Sequence, residues 1–223
     1  MSSQLKPIKL WGAGGANPPK VAIILEELDL PFEVIPVAIA DVKKPEYVAV
    51  NPNGRLPSLV DPNFDITIWE SGAIIEYLIE RYDKENKISF APGTKESYHA
   101  KQWLFYQVSG QGPYFGQAAW FKKFHPEPIP GALARYVAET NRVSAVLEKY
   151  LGEQKDQYGS AAGFDGPWLV GNKFSYADAS FLLWHVVIQM VVSTEEFDED
   201  EYPILKDWAA RMAAQADYGQ NTY

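Results

Sequence analysis

The chain has 223 residues, of which 47% are hydrophobic and 22% are charged. Its 20 Lys and Arg residues against 29 Asp and Glu residues give a net charge of −9. This balance argues against nucleic acid or an anionic membrane as the main partner, because both are bound through basic patches. The absence of cysteine excludes disulfides, a thiolate nucleophile and cysteine-ligated metal sites.

Neither a signal peptide nor a membrane span is predicted. The first ten residues lack the apolar core of a signal peptide. The longest strongly apolar stretch, Phe181–Val192, is far short of the roughly 20 residues that cross a bilayer. It also contains His185 and Gln189. We therefore expect this stretch to be a buried core helix, and the protein to be soluble and cytoplasmic.

The first half of the chain alternates short strands and helices, in the order βαβαββα. This order predicts a small mixed sheet flanked by helices. The predicted strands are Ile8–Trp11, Phe32–Val37, Pro57–Asp61 and Asp65–Trp69, and the predicted helices are Val21–Leu28, Lys44–Val50 and Ser71–Tyr82.

The second half, from about Lys95, is predicted to be entirely helical, after a linker that begins at Tyr82. The first long helix contains Pro113, which predicts a kink. A second helix is expected at Ala132–Leu151, and a loop of small residues follows. The next helix opens with the spacing of a capping box. The loop spans Gly159–Trp168, and the capping box pairs Ser175 with Asp178.

A glycine-rich turn joins the first strand to the first helix, in the sequence IKLWGAGGANPPKVAIILEEL. Such a turn usually places an anion at the helix N-terminus. The dinucleotide pattern G-x-G-x-x-G is broken because Asn17 stands where the third glycine belongs, and no phosphate-loop Gly-Lys-Ser/Thr follows. A nucleotide is therefore the less favoured ligand.

Two further stretches indicate a peptide ligand with charged ends. Leu56 precedes Pro57 at a strand start, where a cis peptide bond would turn backbone groups outward to pair with an extended peptide. Ser71 begins a helix whose N-terminus suits a carboxylate, while Glu70 suits an ammonium group. The alternatives are an ordinary strand start at Pro57 and a plain helix N-cap at Glu70-Ser71.

Three motifs together resemble the glutathione transferase superfamily across nearly the whole chain: NPNGRLP, WESGAIIEYL and WLVGNKFSYADASF. Two more, SGQGPYFGQAAWFKKFH and ARYVAETNRV, resemble its fungal nitrogen-regulation branch, which is related to bacterial nu-class enzymes. The resemblance implies a thioredoxin-like glutathione-binding domain at residues 1–88 and an all-helical domain at residues 95–223. It also implies a homodimer.

The resemblance implies roles for residues of the first half. Glu70 and Ser71 would bind the γ-glutamyl group, and the backbone of Leu56 would pair with the cysteinyl part. Arg55 stands where family members often place a side chain near the glycyl carboxylate or the γ-glutamyl group. In the second half, Arg135 either contacts glutathione or forms a surface ion pair.

Many relatives place a Tyr, Ser or Cys beside the glutathione sulfur, but the expected serine position is Gly15 here. Asn17 is the matching polar residue of the fungal and nu-class pattern. Lowering a thiol pKa of roughly 8.5 by two pH units requires roughly 2.7 kcal/mol. One amide hydrogen bond contributes roughly 1.5–3 kcal/mol and the helix dipole up to about 1 kcal/mol. The amide of Asn17 and the helix dipole together are therefore adequate to stabilise a thiolate, with little margin. The alternative is that Asn17 only caps a helix beginning at Pro18.

The aromatic run that follows the predicted kink has two interpretations. Trp103 and Phe105 fit core packing. The resemblance supports a pocket for an electrophile after the kink. The residues assigned to this pocket are Tyr114, Trp120, Phe121 and Phe124.

No metal site is expected, because His99, His125 and His185 are scattered without ligand spacing. The acidic segment Glu195–Tyr202 lacks the spacing of a calcium loop.

The resemblance implies an enzyme that uses glutathione as co-substrate and reacts it with an electrophile or a disulfide, without a protein cysteine. The alternative is a regulator or carrier that binds glutathione without catalysis.

Overall fold

The computed structural model describes residues 5–215, and these form two compact units that divide between Ser89 and Phe90. The first unit contains a four-stranded mixed sheet with helices. The described part of the second unit is helical. The predicted fold class is therefore confirmed.

The sheet of the first unit has the strand order β2-β1-β3-β4. Strand β1 pairs in parallel with β2 and antiparallel with β3, which pairs antiparallel with β4. The second strand ends two residues earlier than predicted because Pro36 has no amide to donate to the ladder. The bounds are Ile8–Trp11 for β1, Phe32–Ile35 for β2, Ser58–Asp61 for β3 and Ile66–Trp69 for β4.

The register brings three strand ends to one edge of the sheet. Trp11, the last residue of β1, pairs with Ser58, the first residue of β3. Ser58 also pairs with Trp69, the last residue of β4. The segments that follow β1 and β4 therefore leave the sheet at the same edge at which the segment that precedes β3 enters it.

The core of the first unit lies where α1 and α3 pack together. Each helix contributes fully buried aliphatic side chains, as the helical spacing of its apolar residues predicts. The helices are α1 at Asn17–Glu27, α2 at Pro45–Val48 and α3 at Ser71–Tyr82, and the buried residues include Ile24, Leu25, Ile74 and Leu78.

The buried carboxylate of Asp61 ties β3 to α3. It accepts hydrogen bonds from the hydroxyls of Tyr77, at 2.7 Å, and Tyr82. The Asn63 amide adds a third, at 2.8 Å. Burial alone would raise the pKa of Asp61, but these hydrogen bonds outweigh it and lower the pKa. The contact fixes α3, which carries Glu70 and Ser71 at its start.

The second unit differs from prediction at the kink. The helix is interrupted by a π-helical turn at Gln107–Gln111 before Pro113, and by another at Trp120–Phe124. The first turn accommodates Pro113, which lacks an N–H for the ladder. The helices are α4 at Lys95–Tyr106, α5 at Gly112–Ala119, α6 at Pro130–Tyr158, α7 at Tyr176–Val191 and α8 at Pro203–Gln215.

Buried aromatic side chains form much of the core of the second unit. Trp103 and Phe181 pack edge to face with ring centroids 6.2 Å apart, and Trp208 lies beside Phe181. The prediction for Phe105 is wrong, because its side chain is 63% exposed. Phe105 lies two residues from Trp103, so it points to a different face of α4.

The capping box at the start of α7 is confirmed. Asp178 is fully buried, and its carboxylate accepts hydrogen bonds from the Ser175 amide at 3.0 Å and hydroxyl at 2.8 Å. The Leu169 amide at 2.8 Å and the Trp208 indole N–H at 3.0 Å also donate to it. Burial raises the pKa of Asp178 to about 6, and the four hydrogen bonds oppose that rise.

The apolar stretch at Phe181–Val192 lies within and just after α7, and Phe181, Leu182 and Ile188 are buried, as predicted. Within residues 5–215, no helix combines the length and apolar character needed to cross a bilayer.

Candidate functional site

The start of α1 presents a helix N-terminus after a glycine-rich turn. Gly12 and Gly15 have φ values of +106° and +80°, which glycine adopts without steric cost. Asn17 is the first residue of α1, and Ala16 occupies the N-cap position without a side-chain cap hydrogen bond. The first turn carries no acidic residue. The positive end of the helix dipole therefore has no carboxylate beside it in that turn.

The loop before β3 is held by Asn51, whose buried side chain donates to the Arg55 carbonyl at 2.7 Å. The Tyr47 hydroxyl donates to the same carbonyl at 2.7 Å. Gly54 has a φ of +57°, and a Cβ there would meet the Val42 carbonyl at 2.6 Å. The conformation of this loop therefore requires glycine.

The loop ends in a cis peptide bond between Leu56 and Pro57. Among the described residues, neither the amide nor the carbonyl of Leu56 has a hydrogen-bond partner. A Cβ on Gly12 would come within 3.0 Å of the Leu56 side chain, so the turn after β1 lies against this loop. Leu56 can thus offer one donor and one acceptor to an extended peptide.

Glu70 has φ 71° and ψ 114°, a combination that L-residues rarely adopt, at the N-cap of α3. Its carboxylate accepts a hydrogen bond from the Asn53 side-chain amide at 3.3 Å. Ser71, the first residue of α3, is buried. Strained backbone of this kind concentrates at ligand sites.

Lys20 was not singled out by sequence reasoning. It lies three residues after Asn17 on α1 and is only 1% exposed. Burial lowers the pKa of Lys20 to about 7, and the Glu70 carboxylate opposes this effect. The available signal was its position in PPKVAIIL, where Ile23 and Ile24, at helical spacing after it, are apolar.

The register of the sheet brings these features together. The turn leading to Asn17, the Leu56-Pro57 step and the Glu70-Ser71 step all adjoin the edge defined by Trp11, Ser58 and Trp69. Such an edge offers a helix dipole, a free backbone pair and a carboxylate. These are the groups that would bind a thiolate, a peptide backbone and an ammonium.

The two candidate arginines lie in different units. Arg55 is exposed, and its backbone carbonyl serves the loop. Arg135 is exposed on α6. No carboxylate within residues 5–215 makes a salt bridge with Arg135, so the surface ion pair is not observed there.

The four aromatic residues predicted for the electrophile pocket divide into two groups. Trp120 and Phe124 stack on each other at 6.1 Å and are largely exposed. Tyr114 and Phe121 instead meet through Tyr136 of α6. The Tyr136 ring stacks on Phe121 at 5.6 Å and lies 6.5 Å from Tyr114.

Two neighbours of this aromatic group were missed by sequence reasoning. Tyr136 follows Arg135 directly, and Arg142 places its guanidinium 5.9 Å from the Tyr114 ring centroid. Arg142 also donates to Glu139 at 2.8 Å. The positions of Tyr136 and Arg142 in the sequence of α6 do not indicate that they contact Tyr114 or Phe121. These contacts are seen only in the packing of the helices.

Within residues 5–215, no group of three or more His, Cys, Asp or Glu side chains is arranged to hold a metal ion. His185 is buried and its Nε2 lies 2.9 Å from Glu199. Burial lowers the pKa of His185, and Glu199 opposes this. This pair links α7 to the short turn before α8.

Family models match both units. The glutathione S-transferase N-terminal domain model matches residues 14–86, and the glutathione S-transferase C-terminal domain model matches residues 113–216. The chain belongs to the glutathione S-transferase family. The resemblance noted in the sequence is thereby confirmed.

Fungal proteins are among the relatives of this chain. It is 56% identical over 214 residues to the glutathione S-transferase-like protein gedE of Aspergillus terreus, covering 96% of this chain and 93% of that protein.

Solved structures carry the same fold. The glutathione transferase URE2P6 of Phanerochaete chrysosporium, in complex with oxidized glutathione, has a TM-score of 0.84 at 44% identity, covering 96% of this chain and 94% of that chain. The nitrogen regulation fragment of the yeast prion protein Ure2p has a TM-score of 0.84 at 32% identity, covering 98% and 96%. The predicted branch is therefore confirmed.

Proposed function

We propose that this glutathione S-transferase family member activates glutathione at Asn17 and transfers it to an electrophile or to a disulfide. The observation that carries the proposal is the alignment of three ligand-binding features along one edge of the sheet. That edge combines the start of α1, the unpaired Leu56 backbone and the Glu70-Ser71 step. Glutathione is a peptide with a thiol, two carboxylates and an ammonium, so it matches these groups.

Each group of glutathione has a proposed partner. Asn17 and the α1 dipole stabilise the thiolate, and Leu56 pairs with the cysteinyl backbone. Glu70 receives the glutamyl ammonium, and Ser71 with the α3 N-terminus receives the glutamyl carboxylate. Arg55 adds positive charge for the remaining carboxylate.

The glutathione thiolate is the nucleophile in this chemistry, so the reaction does not need a protein cysteine, and the chain has none. In transfer, the thiolate sulfur bonds to an electrophilic carbon and the leaving group departs with the displaced electron pair. In disulfide reduction, the thiolate attacks one sulfur and releases the other as a thiolate. A second glutathione thiolate then yields glutathione disulfide and the second free thiolate. The complex of URE2P6 with oxidized glutathione supports the second reaction for this branch.

The second substrate is proposed to bind in a pocket walled by aromatic side chains of the second unit. The pocket residues proposed are Tyr114, Trp120, Phe121 and Phe124. The stacked group around Tyr136 and the exposed Trp120–Phe124 pair both suit planar or apolar compounds.

We also propose that the protein acts as a cytoplasmic homodimer, as the family resemblance implies. Large apolar side chains are exposed on both units, including Phe64 and Phe105. A second copy would cover such surface. Sedimentation velocity tests this, and a purely monomeric species at micromolar concentration would contradict it.

The decisive experiment is glutathione-dependent reduction of a small disulfide, coupled to glutathione reductase, for the wild type and Asn17→Ala. Loss of one charge-assisted hydrogen bond predicts a fall in kcat of roughly 10–100-fold. Glutathione affinity should change little, since the other contacts remain. Gln157→Ala, which removes an exposed amide on α6, is the matched control. Unchanged turnover in Asn17→Ala would contradict the role of Asn17.

A glutathione-binding regulator is the second candidate. The observation that favours it is Gly15, where a Cβ would meet nothing within 4 Å, in a turn that has no hydroxyl or thiol residue between Gly12 and Lys20. The similarity to the nitrogen regulation fragment of Ure2p points the same way. Binding of glutathione without turnover of either a disulfide or an aryl halide would support this candidate over the first.

A further inference from the structure

The proposed mechanism makes no use of Lys20, although it is a charged residue in the first turns of α1. Its side chain is 1% exposed, while the next residues, Val21 and Ala22, are fully buried aliphatic side chains. An aliphatic residue of similar length would fill this space without desolvating an ammonium group. Packing alone therefore does not account for lysine at this position.

The helix dipole also disfavours a cation here. Lys20 lies close to the positive end of α1, where an anion is stabilised and a cation is destabilised. Within the described part of the chain, Glu70 is the charged group that favours the ammonium form of Lys20. Glu70 stands at the N-cap of α3, which packs against α1.

Lys20 lies close to Asn17 on α1, where its charge can act on a ligand bound at Asn17. Residues three apart on a helix lie on the same face. The two residues therefore set the electrostatic potential on one face of the α1 N-terminus. A buried positive charge is screened less than one in water, so its effect extends over several ångströms.

We propose that Lys20 is a positioning residue whose buried positive charge stabilises the thiolate of glutathione bound at Asn17. This inference rests on the proposed function. The charge of Lys20 would add to the stabilisation of the thiolate, for which the Asn17 amide and the helix dipole are only just adequate. The Glu70 carboxylate would favour the charged form of Lys20. Thiolate formation is therefore predicted to depend on the charge of Lys20.

The test measures the ionisation of bound glutathione from its thiolate ultraviolet absorbance as a function of pH. Wild type is compared with Lys20→Met, which keeps the length without the charge, and Lys20→Arg, which keeps the charge. We expect Lys20→Met to reduce the thiolate fraction about tenfold at pH values below the thiol pKa. Lys20→Arg should restore most of it. S-methylglutathione, which cannot ionise at sulfur, should bind wild type and Lys20→Met with similar affinity.

The outcomes separate the two proposals. If wild type lowers the thiol pKa of bound glutathione and Lys20→Met lowers it equally, the inference about Lys20 is wrong and the proposed function stands. If wild type binds glutathione without lowering its thiol pKa, the proposed activation at Asn17 is wrong, and the inference fails with it. If Lys20→Met weakens the binding of S-methylglutathione as much as it weakens the binding of glutathione, Lys20 has only a structural role, and the inference is overturned.

A measurement on the wild-type protein makes the test independent of the folding of the variants. Linkage requires that if Lys20 stabilises the thiolate, the thiolate raises the pKa of Lys20. Lysine NMR of the wild type should therefore show a higher pKa for Lys20 with glutathione than with S-methylglutathione. The same pKa with both ligands would overturn the inference.

Discussion

The first turns of α1 and α7 each contain a buried charged residue, but the two charges are placed differently. Asp178 of α7 is an anion at a helix N-terminus, where the dipole favours it, and four hydrogen bonds satisfy it. Lys20 of α1 is a cation at a helix N-terminus, where the dipole opposes it. Hydrogen bonds and the dipole offset the desolvation of Asp178, whereas the dipole adds to the desolvation cost of Lys20, a placement that suits a site that binds an anion.

The same contrast extends to the backbone. Ser175 and Asp178 close the start of α7 with a capping box. The N-cap residues of α1 and α3, Ala16 and Glu70, make no side-chain cap hydrogen bond, and Glu70 is strained. The second unit therefore closes a helix end with side-chain hydrogen bonds, while the first unit retains two helix ends that suit a ligand.

Asp178→Asn is expected to give the largest effect. An amide cannot accept hydrogen bonds on both sides as the carboxylate does, so one set of buried donors would face an NH₂ group. We expect a loss of roughly 3–5 kcal/mol in the free energy of unfolding, measured by urea denaturation. The control Asp156→Asn, at an exposed position of α6, should change it by less than about 0.5 kcal/mol. A loss below about 1 kcal/mol for Asp178→Asn would contradict the capping-box account.

Lys20→Met should change the pH dependence of stability. Because the folded-state pKa of Lys20 is depressed to about 7 from 10.5, the unfolded chain binds the extra proton between these values. Lys20 therefore destabilises the fold most below pH 7, and this penalty is relieved as the pH rises toward 10. The stability advantage of Lys20→Met over wild type should shrink by about 3–4 kcal/mol between neutral pH and pH 10. Denaturation at several pH values measures this change. A difference in stability between wild type and Lys20→Met that does not vary with pH would show that the pKa of Lys20 is not lowered in the folded protein.

Ser175→Ala and Ser71→Ala compare the closed and open helix ends directly. Ser175→Ala removes a buried hydrogen bond to Asp178 and should cost about 1 kcal/mol of stability. Ser71→Ala should cost less than about 0.5 kcal/mol but weaken glutathione binding about tenfold, because its hydroxyl is proposed to serve the ligand. Chemical denaturation and titration calorimetry measure the two quantities. Equal destabilisation with unchanged glutathione affinity would make both ends structural.

Glu70→Gly is expected to have a small effect on stability, and to increase it. Glycine adopts φ 71° without steric cost, so we expect a gain of about 0.5–1 kcal/mol, together with weaker glutathione binding. Asp65→Gly, at φ 53° in the turn between β3 and β4, is the matched control with unchanged binding. Thermal denaturation and calorimetry provide the readouts. A loss of stability in Glu70→Gly would show that the side chain, not the backbone, determines this turn.

Local sequence patterns predicted most of the elements. The helix Ser71–Tyr82 has the predicted bounds, and the capping box of Ser175 and Asp178 forms as expected, because both depend on residues three or four apart. Strand ends moved by one or two residues where proline removed a ladder donor, as at Pro36. The cis bond at Leu56-Pro57 was anticipated because only a bond before proline adopts cis readily, whereas the ligand-binding roles of Leu56, Glu70 and Ser71 stay predictions.

The prediction that failed, for Phe105, and the features that were not predicted depended on packing between distant segments. The exposure of Phe105 and the burial of Lys20 are set by which helix face meets a neighbour, which periodicity alone did not resolve. The π-helical turns before Pro113 and at Trp120–Phe124 reflect how the helix adapts to its surroundings. The contact of Phe121 with Tyr136 joins residues of different helices, so no local pattern contains it.

The amino-acid sequence by itself determined the order of strands and helices, the absence of a protein thiol and the family, because these follow from local periodicity, composition and short motifs. Only the tertiary structure decided that Trp11, Ser58 and Trp69 share one edge, and that Lys20 is buried where the Glu70 carboxylate acts on it. Strand register and burial depend on contacts between residues far apart in the chain, and their free energies are set by the desolvation and charge of the assembled fold.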